Sequence, residues 1–593
     1  TLFGRNTTGG SVNFYTNAPT QKFGASLELG IDEHERYRAE GMVNGALSEN
    51  LSGRLSMNTE LGSGGPQKNL YTGDEHGAPN LFDLRGQLLW EGEDLTVRAL
   101  VHGGIDKGEK VAWKAPGIYN FGAPGFCPEL LTGEVIESPS TCSKTAGFAT
   151  LAGFPDAEFE PEDAFTINQN TPPAVDDTFY GGYLNWEYDL GWAKLTSITA
   201  FEYYERIHRE DSQSDPINST STHYYNEINQ VTQELRLAGQ LADQWRYVLG
   251  FFYEHDSLDQ SDGSDLSQQP LPILPPFANQ FFAQFEQKFE SIALFGHTEY
   301  DFTDTLTINA GLRVTTDSTE VNDGLLGLGN LPQVGDEKFV TPCLITTFPG
   351  GPIGAPACPF LGPEAPLFED NRRDNNLSWR VGLEWTPEGT EDLLIYGNLT
   401  TGYRNGGYSM PFAGAATTFE PETVFSQEFG VKSQWLDQTV QANAAFFRYL
   451  YDDVQVNVDD PVSPLVPITR NIGEQKNVGA ELELTWAPDE HWYLRQSAGW
   501  LHAVYENTDR VISTYAGPIS LEGKHPVNSP KWTYNGAVRY EQPLMAGWSG
   551  SLGFDYRWVA KRSLEATGQP FDTVGAYWLA NMRAAISSDD ERW

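Results

Sequence analysis

The stretch Phe23-Gly-Ala-Ser-Leu-Glu-Leu-Gly-Ile-Asp32 places an apolar side chain at every second position and a polar residue or glycine between them. Successive side chains of a β-strand point to opposite faces, so this stretch predicts a strand with one apolar and one polar face. The same alternation returns along the chain, as in residues 51–58, 305–314 and 552–558. An all-β fold is therefore predicted, although a soluble β-sandwich would show this pattern as well as a membrane barrel.

The connections between the predicted strands are alternately short and long, and this second pattern separates the two folds. Short periplasmic turns, long outer loops and aromatic girdles are typical of outer-membrane β-barrels. Aromatic residues at the edges of soluble hairpins are the alternative explanation. The short connections carry Trp or Tyr at one or both ends and are Trp90 to Leu95, Tyr188 to Trp192, Trp435 to Gln438, Trp486 to Trp492 and Tyr540 to Trp548. The long ones are Asp106 to Asp176, Ser257 to Phe285, Asp317 to Arg373 and Arg404 to Phe419.

Length and charge narrow the class of protein further. A soluble chain of 593 residues would be expected to form about four domains, yet the alternation of strands and turns runs from Phe23 to Ile586 without a linker. This continuity favours one large closed sheet, and the lack of any run of about 18 apolar residues excludes transmembrane helices. The formal net charge of −43 argues against nucleic acid as a partner, because phosphates would be repelled. The acidic residues either keep long surface loops soluble or contact the surrounding lipopolysaccharide through divalent cations.

The four cysteines form two local pairs, Cys127 with Cys142 and Cys343 with Cys358, each within a long connection. An even number of cysteines in an oxidising compartment favours two disulfides, although four cysteines allow three connectivities. Closing a loop of about 15 residues would contribute roughly 3 kcal/mol in the chain-entropy model. A zinc site is disfavoured because the cysteines lack the spacing of zinc ligands and no histidine lies beside them.

The beginning of the chain carries a family motif. Thr1-Leu-Phe-Gly-Arg-Asn-Thr-Thr-Gly-Gly-Ser-Val-Asn-Phe-Tyr-Thr16 predicts a turn at Gly9-Gly10 and a short strand over 11–16. This segment closely resembles the end of the plug domain of TonB-dependent outer-membrane receptors. Further resemblance to this family, in its branch for iron complexes, is carried by Gly402-Tyr-Arg-Asn-Gly-Gly-Tyr408, residues 419–437, residues 471–484 and Ser529-Pro-Lys-Trp532.

The resemblance implies a barrel of 22 strands around a plug, the size class in which the lumen is plugged. The alternation gives about 20 strands in this sequence. We therefore expect residues 1–20 to be the C-terminal end of the plug domain and residues 21–593 to be a transmembrane β-barrel that lacks its last strands. The chain has no initiator methionine, which indicates a processed or partial chain. Its sheet is expected not to close by itself, because the first and last strands would lack partners.

No catalytic motif is found, and we expect no enzymatic activity, no cofactor and no resident metal. The histidines are scattered over different segments, and no nucleophile–base pair stands out. An acidic series with a spacing of three lies in one predicted loop and differs from the EF-hand spacing, so calcium is disfavoured. This series is Asp256, Asp259, Asp262 and Asp265.

Ligand recognition is expected from aromatic and cationic side chains of the long connections and the adjoining inner wall. Such side chains could bind the carboxylates, catecholates or flat rings of a metal chelate by ion pairing and stacking. For each residue alone, packing within a loop or interface is the competing explanation. The candidates are Trp113, Tyr119, Phe121, Arg206, His208, Arg209, Tyr224, Tyr225, Arg404, Tyr408 and Phe412.

The resemblance implies a receptor in the outer membrane of a Gram-negative bacterium, surrounded by lipid and lipopolysaccharide. It would import a scarce nutrient when the TonB complex of the inner membrane pulls on the plug. A ferric siderophore is the first expected substrate class, and vitamin B12, haem or an oligosaccharide is the second. A passive porin or a surface adhesin is the alternative of another class, and the plug-like residues Leu2 to Tyr15 argue against both.

Overall fold

The computed structural model describes most of the chain. The described residues are 8–588 except 11, 115–118, 121–126, 128–141, 144–162, 164, 172, 212–215, 217–220, 266–279, 330–341, 345–367, 391, 411–415, 460–466, 515–516 and 570–571. Within this part, no helix is both long and apolar enough to cross a membrane.

The described residues form one antiparallel sheet of 20 long strands, in which each strand pairs with the next along the chain. A 21st member, Pro342–Leu344, pairs with the end of one of them. The long strands are β1 (Gly24–Ile31), β2 (Arg36–Ser48), β3 (Leu51–Gly62), β4 (Asn80–Glu91), β5 (Leu95–Asp106), β6 (Ala174–Asp189), β7 (Ala193–Asp211), β8 (Ser221–Ala242), β9 (Trp245–Asp265), β10 (Gln280–Thr303), β11 (Leu306–Gly329), β12 (Phe368–Trp385), β13 (Leu393–Arg404), β14 (Glu422–Trp435), β15 (Val440–Asp452), β16 (Glu474–Trp486), β17 (Trp492–Glu506), β18 (Trp532–Met545), β19 (Trp548–Val559) and β20 (Tyr577–Ser588).

Small sheets lie in the long connections. A three-stranded sheet contains Gln67–Asn69, Glu75–His76 and Thr166–Ile167. The two-stranded ones pair Tyr119–Asn120 with Cys142–Ser143, Gly407–Ser409 with Thr417–Phe419, Gln455–Asp459 with Pro467–Asn471, Val511–Thr514 with Gly517–Ser520 and Arg562–Ser563 with Thr573–Val574.

The two faces of the sheet differ as a transmembrane barrel requires. Leu294 of β10 lies opposite Phe251 of β9 and Val314 of β11, and 63% of Leu294 is exposed. The next residue, Phe295, points to the other face and is buried beside Arg313. Large apolar side chains thus cover the outer face, and polar or charged groups share the inner face. The predicted all-β barrel class is confirmed.

Aromatic side chains mark both rims of the apolar surface. Near the outer ends of the last strands, the ring centre of Trp558 lies 5.4 Å from that of Tyr534 and 6.2 Å from that of Trp578. At the short turns, the ring centres of Trp492 and Tyr540 are 4.7 Å apart. Such belts suit the membrane interface, where the ring is buried and its polar atom stays wet.

The predicted short connections are tight turns, with one correction. The connection from Tyr540 to Trp548 is shorter than predicted, because β18 continues to Met545 with a shift of register between Pro543 and Met545. Proline cannot donate a backbone hydrogen bond, so the ladder is interrupted there without ending the strand.

The long connections after β9 and β11 are also shorter than predicted. These strands continue past Ser257 and Asp317 to Asp265 and Gly329. About 9–11 residues cross the bilayer, and the remaining length lies outside it, where both faces can be polar. The acidic series therefore lies on a strand and not in a loop: Asp256 and Asp262 share the inner face, whereas Asp259 points to the outer face.

The strand predicted over residues 11–16 is wrong. Residues 12–20 have no regular structure, and 92% of Phe14 is exposed. Alternation alone cannot form a strand without a neighbour for its backbone groups. The segment is held by side chains instead: Arg98 Nη2 donates to the carbonyl oxygen of Thr16 at 3.0 Å, and the Asn44 amide bonds the backbone of Thr20 and Lys22. A bend at residues 8–9 and a φ of +133° at Gly10 agree with the predicted turn.

The two ends of the sheet have one neighbour each in the described part of the chain. There, β1 pairs with β2 and β20 pairs with β19. Failure of the sheet to close by itself stays a prediction.

We predict that Leu482→Arg destabilises the protein in lipid by about 2–4 kcal/mol, since it places a charge on the lipid-facing side near the bilayer centre. Leu482 lies four residues from Trp486 at the short turn, and half of it is exposed. Denaturant unfolding from vesicles measures the effect. Glu481→Arg, at the adjacent inner-face position, is the matched control, and an equal loss for both variants would contradict the assignment of faces.

Candidate ligand-binding site in the barrel interior

The glycine-rich element of residues 402–408 lies at the outer end of β13 and contacts the inner face of β8–β11. Together they line an open cavity of about 360 Å³. The element contributes Arg404 and Tyr408, and the wall opposite contributes Asp256. The remaining lining residues are Ile228, Leu258, Gln287, Phe289, Thr319, Asn405, Gly406, Gly407, Phe419 and Gln455.

Arg372 on β12 holds the element in place. Its guanidinium binds both oxygens of Asp374, at 3.0 and 2.8 Å, and donates to the carbonyl oxygen of Phe419 at 2.7 Å. A further nitrogen contact reaches Glu420 at 3.2 Å. Asp374 in turn accepts a hydrogen bond from the backbone N–H of Gly406 at 3.2 Å. Both arms of the connection are thus tied to one largely buried ion pair. The planar, two-point geometry of this pair suits arginine and not lysine.

Gly406 and Gly407 are required by close approach. A Cβ atom on Gly406 would clash with the Arg372 guanidinium and lie 2.5 Å from the carbonyl oxygen of Phe419. On Gly407 it would lie 2.7 Å from the Phe419 ring. The two glycines of the motif let the backbone pass against Arg372 and Phe419.

A second anchor comes from the next hairpin. The Gln455 side chain donates to the carbonyl oxygens of Asn405, at 2.8 Å, and Glu420, at 3.0 Å. Its backbone N–H donates to Glu422 at 2.8 Å. Tyr403 is buried and donates from its hydroxyl group to Asp317 on β11. Because these bonds join separate connections and strands, the cavity wall is formed by a connected network.

Tyr408 lines the cavity, and its hydroxyl group is buried near Asp370. Its ring packs edge-on against Phe368 at 5.9 Å. Burial raises the pKa of Tyr408 to about 12, and the nearby Asp370 carboxylate acts in the same direction. The hydroxyl group therefore keeps its proton at neutral pH.

A second group of polar side chains surrounds His208 on the inner face of β7. His208 Nε2 lies 2.9 Å from Asp177, while its Nδ1 lies 2.9 Å from Arg206 Nε and 3.0 Å from Lys110 Nζ. Arginine can only donate, so Nδ1 accepts and Nε2–H donates to Asp177. The histidine thereby orients one carboxylate and two cations at the outer end of the barrel.

Three other predicted ligand residues lie in this group. Trp113 Nε1 and the Tyr224 hydroxyl group both donate to Glu210, at 3.3 and 3.0 Å. The Arg206 guanidinium lies 5.5 Å above the Tyr224 ring. Arg206 and Tyr224 are therefore held by their neighbours, in agreement with either a ligand-binding or a packing role.

The remaining predicted ligand residues lie outside these two groups or outside the described residues. Arg209 and Tyr225 alternate with Arg206 and Tyr224 along their strands, so they point to the outer face. The side chain of Tyr119 and all of Phe121 and Phe412 lie outside the described residues. Arg372, Gln455 and Lys110 were not among the residues predicted from the sequence, whereas His208 was. Extending the alternation of β12 outward would have placed Arg372 on the inner face.

The cysteine pairing is described in part. Cys127 is fully buried and disulfide-bonded, and no cysteine in the described part of the chain is free. Asn120 pairs with Cys142 in a short ladder. The pairs Cys127 with Cys142 and Cys343 with Cys358 stay predictions.

Comparison with known proteins places this architecture in one family. The family model described as "TonB dependent receptor-like, beta-barrel" matches residues 143–593. The ferric yersiniabactin uptake receptor FyuA from Yersinia pestis superposes with a TM-score of 0.69 at 15% identity, over 97% of this chain and 73% of that one. The siderophore receptor PiuA from Acinetobacter baumannii gives 0.66 at 13% identity, over 97% and 76%. The closed form of the ferric-catecholate import receptor Fiu from E. coli K12 gives 0.64 at 15% identity, over 98% and 77%.

These structural likenesses are too distant in sequence to show more than a shared fold. The family match covers well over half of the chain and ends at its last residue. The antiparallel sheet with alternating faces agrees with this match. The chain belongs to the TonB-dependent receptor family.

Proposed function

We propose that this protein is an outer-membrane receptor of a Gram-negative bacterium that binds a ferric siderophore in the cavity beside Arg404. Import would follow plug movement driven by the TonB complex of the inner membrane. The single observation that carries the proposal is the glycine-rich element folded against the inner wall, which turns Arg404 and Tyr408 toward one cavity.

The position of the cavity supports this role. It lies at the end of the barrel that bears the long connections, the outer side in proteins of this architecture. Arg404 is exposed and forms no ion pair with any residue that the structure describes. An unpaired guanidinium beside the Gln287 amide can bind the oxygen atoms of a chelate.

Residues 1–20 are proposed to be the end of the plug, and residues 21–593 the barrel. Tyr451 on β15 donates to the carbonyl oxygen of Thr8, while Arg98 on β5 holds Thr16. These strands are ten positions apart in the order of 20, so the segment crosses the barrel interior. Its exposed Val12, Phe14 and Tyr15 suit burial against further plug structure.

This crossing segment also argues against a passive porin. The outer apolar face is proposed to contact lipid and lipopolysaccharide. Importers of vitamin B12, haem or an oligosaccharide stay alternatives within the same class, and no described residue favours one of them.

We predict that Arg404→Gln weakens binding of a ferric siderophore to the full-length receptor by roughly tenfold to a hundredfold. A hydrogen bond to a charged group contributes about 1.5–3 kcal/mol. Quenching of tryptophan fluorescence measures the affinity. Arg209→Gln removes an arginine from the outer face at a similar height and should leave the affinity unchanged. Equal losses of affinity in the two variants would contradict the assignment of Arg404 to the binding site. Absence of binding by catecholate, hydroxamate and carboxylate complexes alike would refute the proposed substrate class.

We predict that Gly406→Ala also abolishes most of the binding, because its Cβ atom displaces Arg372 and with it the cavity wall. Gly397→Ala on the preceding strand, β13, meets no atom closer than 3.7 Å and is the matched control. Hydrogen exchange of residues 402–409 should rise in the first variant and not in the second. An intact affinity in Gly406→Ala would show that the element does not shape the site.

We predict that the full-length protein is closed in planar lipid bilayers, since the interior is crossed by the plug segment. Single-channel conductance tests this directly. A large, constitutively open channel would favour the porin alternative.

A further inference from the structure

We infer that the cavity selects an electrically neutral ferric chelate, of the kind in which three hydroxamates enclose the iron, over a trianionic chelate of three catecholates. This inference rests on the proposed import of a ferric siderophore. It concerns the charge of the ligand, which the family and the fold leave open.

The described residues that line the cavity carry one charge of each sign. Among its described residues, Arg404 supplies the positive charge and Asp256 the negative charge. Tyr408 stays protonated at neutral pH, and the other polar lining groups are amides and a hydroxyl. The described lining is therefore neutral in sum and rich in hydrogen-bonding groups without charge.

The other cations near the cavity already have partners within the protein. Arg372 is committed to Asp374 and Glu420, with the side chains of Arg372 and Asp374 only 14% and 11% exposed. Lys110 and Arg206 both contact Nδ1 of His208, and the Arg206 guanidinium also lies over the ring of Tyr224. Releasing Arg372 to a ligand would leave the largely buried Asp374 carboxylate without its partner, which is costly.

Carboxylates on the same wall increase the negative charge that a ligand would meet. Asp256, Asp262 and Asp317 all lie on the inner face of β9 and β11. A trianion bound near Arg404 would gain one free cation and approach several carboxylates. Because like charges at close range destabilise a complex, the wall selects against such a ligand.

The net charge of the sequence also disfavours an anionic ligand. Residues 115–162 contain seven acidic residues and a single basic one, Lys144. The whole chain has a formal net charge of −43. The field at the outer side is therefore negative, and it lowers the local concentration of anions before they reach the cavity.

The chemistry of the two chelate classes separates them by charge. Three singly charged hydroxamates cancel the charge of Fe³⁺ and leave a neutral complex that displays carbonyl and amide groups. Three doubly charged catecholates leave a net charge of −3. Gln287 and Arg404 can donate hydrogen bonds to the first kind, whereas the second kind would lose its hydration without enough cations to replace it.

The test compares two probes on the full-length receptor: ferrichrome, a neutral tris-hydroxamate, and ferric enterobactin, a tris-catecholate trianion. We expect ferrichrome to bind at least about tenfold tighter, a difference of about 1.4 kcal/mol. The difference should shrink as salt rises from about 0.01 M to 1 M, since the Debye length falls from about 30 Å to 3 Å. The affinity for ferrichrome itself should stay constant.

The possible failures are distinguishable. Equal or tighter binding of the trianion at low salt would overturn the inference on charge and leave the siderophore receptor intact. Failure of both probes and of ferric carboxylates to bind would instead overturn the proposed function, and the inference with it.

A charge insertion gives an independent check. Gln287→Lys adds one cation to the cavity wall, and it should raise the affinity for ferric enterobactin about tenfold without improving that for ferrichrome. Ser257→Lys adds the same charge on the outer face of the adjoining β9 and is the matched control. The same gain for both variants would mean that the long-range field, and not the cavity, sets the preference, and would overturn the assignment to this site. Thr319→Lys on β11 provides a second cavity variant.

Discussion

The constraint on which the structure depends is that no backbone N–H or C=O group can be left unpaired in lipid. Each of the long strands meets this requirement by pairing with its neighbours in chain order, from Gly24 to Ser588. Once the backbone is paired in this way, alternate side chains must face lipid. Leu294 and Val314 are therefore exposed in a way that would destabilise a soluble protein, while Arg313 lies inside against Phe252 and Phe295.

The same alternation decides which residues can take part in recognition. Arg206 and Arg209 are three residues apart on β7, yet they point to opposite faces, and the inner one joins the group around His208. Strands that continue beyond the bilayer extend the inner face outward, so that Asp256 and Gln287 reach the cavity from positions that resemble a loop in sequence. The Arg372–Asp374 pair then holds the glycine-rich element in place at the cavity wall.

Errors in the sequence predictions have a common physical origin. Alternation of apolar and polar residues is required where one face meets lipid, and it disappears where a strand continues into water. The ends of β9 and β11 were therefore assigned to loops, although their backbones still pair. The strand predicted over 11–16 failed for the opposite reason: the pattern is present, but no neighbouring backbone is described beside residues 12–16.

The sequence by itself determined the fold class, the approximate number of strands and the family, because period-two alternation, turn length and aromatic rims are local properties of the chain. It also singled out Arg404 and Tyr408 through the glycine-rich motif. Only the tertiary structure decided what these residues face. Lys110, Asp177 and His208 come from separate segments, as do Arg372 and Glu420. The meeting of Arg404 and Asp256 at one cavity likewise depends on the arrangement of distant strands, which no local pattern encodes.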